Sequence, residues 1–237
     1  MSGRLAGRRA IVTGAGSGIG AATAARLRAD GAAVFAVDRQ GTVDLTADVT
    51  EPGISERIVA EARNAMGGVD AVVACAGMAG GMPLETHSDE LWDQVLAVNV
   101  TAVFRLVRAA IPLLKEGGNG RIVTIGSVMS GFGAPGLTAY AASKHAVLGM
   151  TRAMAAELGP DGITVNCIQP GAIDTPMTAP AFAADPAYGE FWRTKAPLGR
   201  LGKPEDIGDV IAFLVSDDAR FVSGHGLYVD GGAMARP

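Results

Sequence analysis

Tyr140 and Lys144 stand four residues apart in the run Tyr140-Ala141-Ala142-Ser143-Lys144. On a helix that spacing projects both side chains from one face, although many ordinary surface pairs share it. An ammonium beside a phenol favours phenolate and brings the tyrosine pKa toward a range useful for proton transfer. Tyr140 is therefore a candidate acid/base toward a hydroxyl or a carbonyl. Ser127 comes shortly before it, just past the apolar run Ile122 to Ile125. In a parallel sheet a strand terminus and the start of the next helix converge at the carboxyl edge, where ligands bind. A hydroxyl there could hydrogen-bond a substrate oxygen. Asn99 sits in Ala97-Val98-Asn99-Val100, and an amide on an apolar stretch is ordinarily a satisfied core residue.

A second constellation lies near the N-terminus. Thr13-Gly14-Ala15-Gly16-Ser17-Gly18-Ile19-Gly20 follows the apolar run Ala10-Ile11-Val12 and opens a helix-like stretch. Glycines permit a tight turn and close backbone approach, and N–H groups at the start of the next helix can face a pyrophosphate. The spacing of Gly14, Gly18 and Gly20 departs from G-x-G-x-x-G, so a plain strand-to-helix connection is the alternative. Asp38 ends the second apolar run, close to the ~20-residue offset at which an acid grips the adenosine ribose. Its carboxylate would accept from ribose hydroxyls and repel a 2′-phosphate, which predicts NAD over NADP. The bland reading of Asp38 is a strand-end turn residue. Arg39 pulls the other way, because a guanidinium can pair with a 2′-phosphate.

Short apolar runs alternate with longer amphipathic stretches, and these elements must position the groups above. The pattern predicts strands at 10–12, 33–37, 71–74, 122–125, 163–168 and 227–229. It predicts helices at 18–30, 54–66, 138–158 and 204–215, and one long helix from Leu91 to Lys115 with Pro112 near its end. Strands that are continuously apolar and separated by helices imply a parallel sheet covered on both faces. The expected fold is α/β: a single-domain, doubly wound parallel sheet of the Rossmann type, with about seven strands, over residues 1–237. Gly171 to Arg200 reads as irregular, with four prolines and the aromatics Phe182, Tyr188, Phe191 and Trp192. So long a loop is uncommon without a role, so a substrate lid at 171–200 is favoured over a packed surface subdomain.

Composition narrows the function classes. Of 237 residues, 49% are apolar and 19% charged, enough to fill a large core and to exclude global disorder. Lys and Arg total 20 against 24 Asp and Glu, and this formal charge of −4 argues against broad nucleic-acid or anionic-membrane binding. Cys75 and Cys167 form neither a disulfide scaffold nor a metal-ligand cluster, which suggests a reducing compartment. His87 and His145 are not needed by the chemistry, and no metal set is visible. Met1 to Arg9 has no signal-peptide core, and no apolar run approaches membrane-span length, so a cytoplasmic protein is expected.

Taken together, Thr13 to Gly20, Asn99, Ser127 and Tyr140-x-x-x-Lys144 resemble the short-chain dehydrogenase/reductase family. Asp48-Val49, Pro170-Gly171-Ala172-Ile173-Asp174-Thr175 and the tail from Gly199 through Val229-Asp230-Gly231-Gly232 extend the resemblance over nearly the whole chain. The resemblance implies a catalytic tetrad of Asn99, Ser127, Tyr140 and Lys144. Tyr140 would exchange the alcohol proton while hydride passes to nicotinamide, and Ser127 would steady the oxygen. Lys144 would lower the Tyr140 pKa and hold the nicotinamide ribose, and Asn99 would support a proton-relaying water. It also implies cofactor contacts from Gly14, Ser17, Gly18, Ile19, Gly20, Asp38, Arg39, Asp48, Val49, Ala76, Gly77, Pro170, Gly171, Ile173 and Thr175, besides Tyr140 and Lys144. Two departures stand out. The family's Asn-Asn-Ala-Gly appears as Ala74-Cys75-Ala76-Gly77, and the stretch between Asp38 and Asp48 is too short for the usual extra helix, which predicts a more open adenine side.

By the same resemblance the substrate pocket draws on Met78, Val128, Met129, Phe132, Leu137, Met177, Phe182 and Trp192. This set favours an apolar or cyclic secondary alcohol or ketone. The expected activity is NAD-dependent oxidation or reduction at a CH–OH carbon. The alternatives are an NADPH-dependent 3-oxoacyl-thioester reductase of the acyl-carrier-protein type, which Asp38 disfavours, and a non-catalytic dinucleotide sensor, which the complete tetrad disfavours. A homotetramer is expected from the family's habit of pairing such long apolar helices.

Overall fold

The computed structural model describes residues 3–235; Met1, Ser2, Arg236 and Pro237 lie outside the described residues. Seven strands form one parallel sheet: β1 (Arg9–Thr13), β2 (Ala33–Asp38), β3 (Leu45–Thr46), β4 (Ala71–Ala74), β5 (Arg121–Ile125), β6 (Thr164–Pro170) and β7 (Gly226–Val229). Their spatial order is β3-β2-β1-β4-β5-β6-β7. The winding reverses between β1 and β4, which places the ligand crevice over the carboxyl ends of these strands.

Alternate strand residues feed two cores, as a two-residue period demands. Ile11, Val72, Ile122 and Val165 join one face, covered by α2 (Ile54–Met66), α4 (Ala102–Glu116) and the end of α5 (Thr138–Leu158). Ala10, Val12, Val73, Val123 and Ile168 join the other, covered by α1 (Gly18–Ala29) and α8 (Pro204–Val215).

Three sequence expectations change. The long helix from Leu91 to Lys115 is broken into α3 (Asp89–Leu96), a π turn (Ala97–Thr101) and α4. In the π turn the Ala102 N–H reaches back to the Ala97 carbonyl, five residues away. Asn99 is in that turn, as is common for functional polar residues. Second, Gly171 to Arg200 is not irregular: it holds α6 (Ala179–Ala184) and α7 (Pro186–Lys195). Pro180 and Pro186 start these helices rather than break them, and the Asp185 side chain caps α7 by accepting from Ala187 and Tyr188 N–H groups. Third, the stretch Asp89–Glu116 is long and apolar enough to cross a membrane by length and composition, with a mean hydropathy of 1.6 over an 18-residue window within it. In the fold Val95, Val103, Leu106, Val107, Ala110 and Leu114 are buried against the protein's own core.

Candidate active site

The glycine-rich segment leaves β1 at Thr13 and turns through Gly14 at φ +68°. A Cβ at Gly14 would stand 2.7 Å from the Ala76 backbone nitrogen, so only glycine fits there. Ser17, the N-cap of α1, makes no side-chain capping bond. The first N–H groups of α1 are thus left for an anion. Thr175 covers this mouth, its side chain 3.5 Å from where a Cβ of Gly18 would lie. At the end of β2, Asp38 accepts from the Gly16 N–H at 2.9 Å and the Gln40 N–H at 3.2 Å. These features fit a dinucleotide: bare main chain for the phosphates and a fixed carboxylate beside them for a ribose diol.

Within the short Asp38–Asp48 stretch, Gly41 packs on Gly16. Arg39 turns to Asp48 at 3.6 Å. Hydrogen bonds from the Thr50 N–H and hydroxyl hold the Asp48 carboxyl below its usual range. Val49, Ala74 and Ala76 line a small cavity beside Thr13. The Thr13 hydroxyl accepts from the Ala76 N–H at 3.3 Å. Farther along the edge, Pro170 ends β6, Gly171 lies against Asp230, and Ile173 bridges to Gly202.

At the other end of the crevice the structure brings Asn99, Ser127, Tyr140 and Lys144 together. Ser127 follows β5 and starts a single 3-10 turn, accepting from the Met129 N–H at 3.1 Å. Its hydroxyl lies near enough to the Tyr140 phenol to lower the phenol's pKa. Lys144 Nζ donates to the Ile125 carbonyl at 2.8 Å and lies 5.4 Å from the Tyr140 ring centre. Burial pulls Lys144 down to about 8 and pushes Tyr140 up, against the lowering effect of the Ser127 hydroxyl. The expected depression of the phenol by Lys144 is therefore outweighed in the chain alone, and desolvation wins.

Asn99 does more than fill space. Its Oδ1 accepts from the Met78 N–H at 2.9 Å, and its Nδ2 donates to the Met78 carbonyl at 2.9 Å and to Ser143 Oγ at 3.0 Å. It thus clamps the loop after β4 to α5. Asn99→Ala will orphan both Met78 backbone groups, a loss of about 2–4 kcal/mol in urea denaturation. A loss below about 1 kcal/mol would contradict this clamp.

Around Tyr140 lies an apolar cluster of Val128, Met129, Phe132, Leu137, Phe182 and Trp192. Two of the expected pocket residues are not in it: Met78 is held by Asn99, and Met177 is 48% exposed. Tyr188 joins the wall edge-on to Trp192, with ring centres 6.3 Å apart. Residues the sequence reading passed over include Ala134, Ala172, Leu201 and Met234 in the same cluster. Ser130 is another: its hydroxyl accepts from the Ser127 N–H at 3.2 Å and donates to the Lys144 carbonyl at 2.9 Å, tying the Ser127 turn to α5. A serine three residues after Ser127 was the available signal, as a capping pair. Met234 had none, being contributed from the far end of the chain.

Residues 14–234 match the family described as enoyl-(acyl carrier protein) reductase. The chain is 37% identical over 249 residues to the 3-oxoacyl-(acyl-carrier-protein) reductase of Thermotoga maritima, covering 98% of this chain and 99% of that one. It is 39% identical over 256 residues to the mouse (3R)-3-hydroxyacyl-CoA dehydrogenase, covering 97% of each. Among solved structures, a protein from Beutenbergia cavernae described as an NAD(P)-dependent gluconate 5-dehydrogenase, with NADP bound at low occupancy, has a TM-score of 0.92. It is 39% identical, with 98% of each chain covered.

Proposed function

Since the chain belongs to the short-chain dehydrogenase/reductase family, we propose that it is an NAD-dependent oxidoreductase of an apolar or cyclic secondary alcohol and its ketone. The observation that carries this reading is the convergence of Ser127, Tyr140 and Lys144 beside an apolar wall, at the same sheet edge as the glycine turn and Asp38. When bound, the nicotinamide supplies or accepts the hydride. The chain's own residues handle the oxygen and the proton. Ser127 bonds the substrate oxygen. Tyr140, kept protonated at neutral pH by burial, gives its proton to a carbonyl oxygen in reduction and takes it from the alcohol in oxidation. Lys144 favours the phenolate as that proton leaves. Asn99 and Ser130 hold these groups in register.

Residues 1–237 act as one domain, with 171–200 as the lid. Val128, Met129, Phe132, Leu137, Phe182 and Trp192 carry no charge, which supports an apolar substrate. The exposed Phe104, Phe221 and Tyr228 support assembly as a homotetramer. Two free cysteines suit a reducing, cytoplasmic setting. A second reading, an NADPH-dependent reductase of 3-oxoacyl thioesters, draws on the matched family and the Thermotoga relative.

Calorimetric titration of NADH and NADPH, followed by turnover on cyclohexanone and acetoacetyl-CoA, separates them. NADH preference with cyclic ketone turnover is the expected result. NADPH preference with turnover of the thioester alone would replace the first reading by the second. Binding with no turnover of any carbonyl would favour a sensor.

A further inference from the structure

Gln169 stands next to last in β6 and is 2% exposed. Its side chain leaves the sheet on the same face as Cys167, two residues earlier, toward α5. It is wedged there: a Cβ on Gly226 of β7 would lie 2.6 Å from its Oε1 and 2.7 Å from Leu148 Cδ1 of α5. The other end of the wedge is the junction between β5 and the Ser127 turn. A Cβ on Gly126 would lie 2.8 Å from Cys167 Sγ, 2.8 Å from Ser130 Oγ and 3.4 Å from Gln169 Cγ. From this position Gln169 Nε2 donates to the Ser127 carbonyl at 3.5 Å. The same carbonyl accepts from the Ser130 N–H at 2.8 Å, so both of its lone pairs are engaged.

An amide sunk this deep costs stability unless it is hydrogen-bonded. Among the described residues its side chain has this one bond, and a methionine would fill the same space without the cost. The packing therefore does not call for an amide; the Ser127 turn does. Ser127 has its main chain held at both ends, the N–H by Ser130 Oγ and the carbonyl by Gln169 and the Ser130 N–H. The Met129 N–H then fixes where Ser127 Oγ points. Hydrogen bonds in a catalytic apparatus are often long before substrate binds and shorten in the loaded complex. We propose that Gln169 is a positioning residue for Ser127, holding the turn so that the serine hydroxyl meets the substrate oxygen in register with Tyr140. This rests on the oxidoreductase reading above and on the role given there to Ser127.

The test is a double-mutant cycle on the full-length chain, with steady-state turnover, cofactor titration and a thermal melt for each variant. The cofactor is the tighter-bound of NADH and NADPH, and the carbonyl is whichever of cyclohexanone and acetoacetyl-CoA the unmodified chain reduces. If it reduces neither, or if Ser127→Ala leaves turnover intact, the reading of the site falls and this proposal with it. Gln169→Met is expected to lower kcat about three- to thirtyfold, with KM for the carbonyl within about twofold. Cofactor affinity should be unchanged and the melting temperature equal or higher. In the Ser127→Ala chain the same change should alter kcat by less than about twofold, because the group it positions is gone. A residue that merely supports the fold would act in both backgrounds alike and lower the melting temperature. The proposal is overturned, with the site reading intact, if Gln169→Met lowers kcat less than about threefold, if it acts equally in both backgrounds, or if cofactor affinity falls with it. Should the methionine variant not fold, Gln169→Leu is read by the same cycle and the same limits.

Discussion

A Tyr140→Phe variant is expected to bind NADH like the unmodified chain and to turn over at least about a hundredfold more slowly, and as much as about ten-thousandfold. The ring stays in its cluster with Met129, Phe132 and Trp192, so packing is retained. Only the hydroxyl, which lies near Ser127, is lost. Its removal costs at most one neutral hydrogen bond, so the stability change should stay within about 1 kcal/mol. A fall in rate without a fall in stability or affinity therefore isolates the proton transfer. Turnover above about one tenth of the original rate would remove Tyr140 from the acid/base role. The companion Ser127→Ala change keeps the phenol but takes away the group beside the substrate oxygen, and should slow the reaction less.

Much of this site was legible because its chemistry sits at element ends, and element ends carry local signals. The helix from Thr138 to Leu158 and that from Pro204 to Val215 begin and end where apolar periodicity and the N-terminal proline put them. The spacing of Tyr140 and Lys144 then fixes their common face. What was not legible depends on contacts between distant segments. The π turn around Asn99 leaves no mark in Ala97-Val98-Asn99-Val100, because its partners are the Met78 backbone and Ser143. Pro180 and Pro186 read as breakers, although a proline at a helix start loses nothing by lacking an N–H. The shortness of the Asp38–Asp48 stretch was plain. That Gly41 lies on Gly16 is shown only by the fold.

Lys144→Met separates catalysis from stability with opposite signs. Turnover should fall about a hundredfold or more, because the phenolate loses the ammonium placed near its ring. Stability follows a different course. Lysine titrates at 10.5 in the unfolded chain and at about 8 in the fold, where burial penalises its charge. Between those values the unfolded chain binds the extra proton, so this group makes the folded state gain stability as pH rises from about 8 toward 10.5. The gain amounts to about 3 kcal/mol and is absent from the methionine variant. Below pH 8 the buried ammonium is a full liability, offset by its bond to the Ile125 carbonyl, which the variant leaves unpaired. Burial also raises Tyr140, Cys75 and Cys167 in both chains, and the Lys144 charge opposes that rise at the two cysteines in the unmodified chain. The difference between the two chains, measured by urea denaturation at pH 7, 8, 9 and 10, thus reports Lys144 together with its coupling to the two cysteines. The unmodified chain should gain on the variant across that range. A difference that does not change with pH would mean that Lys144 titrates in the fold as it does in water, and that its burial does not set the balance with Tyr140.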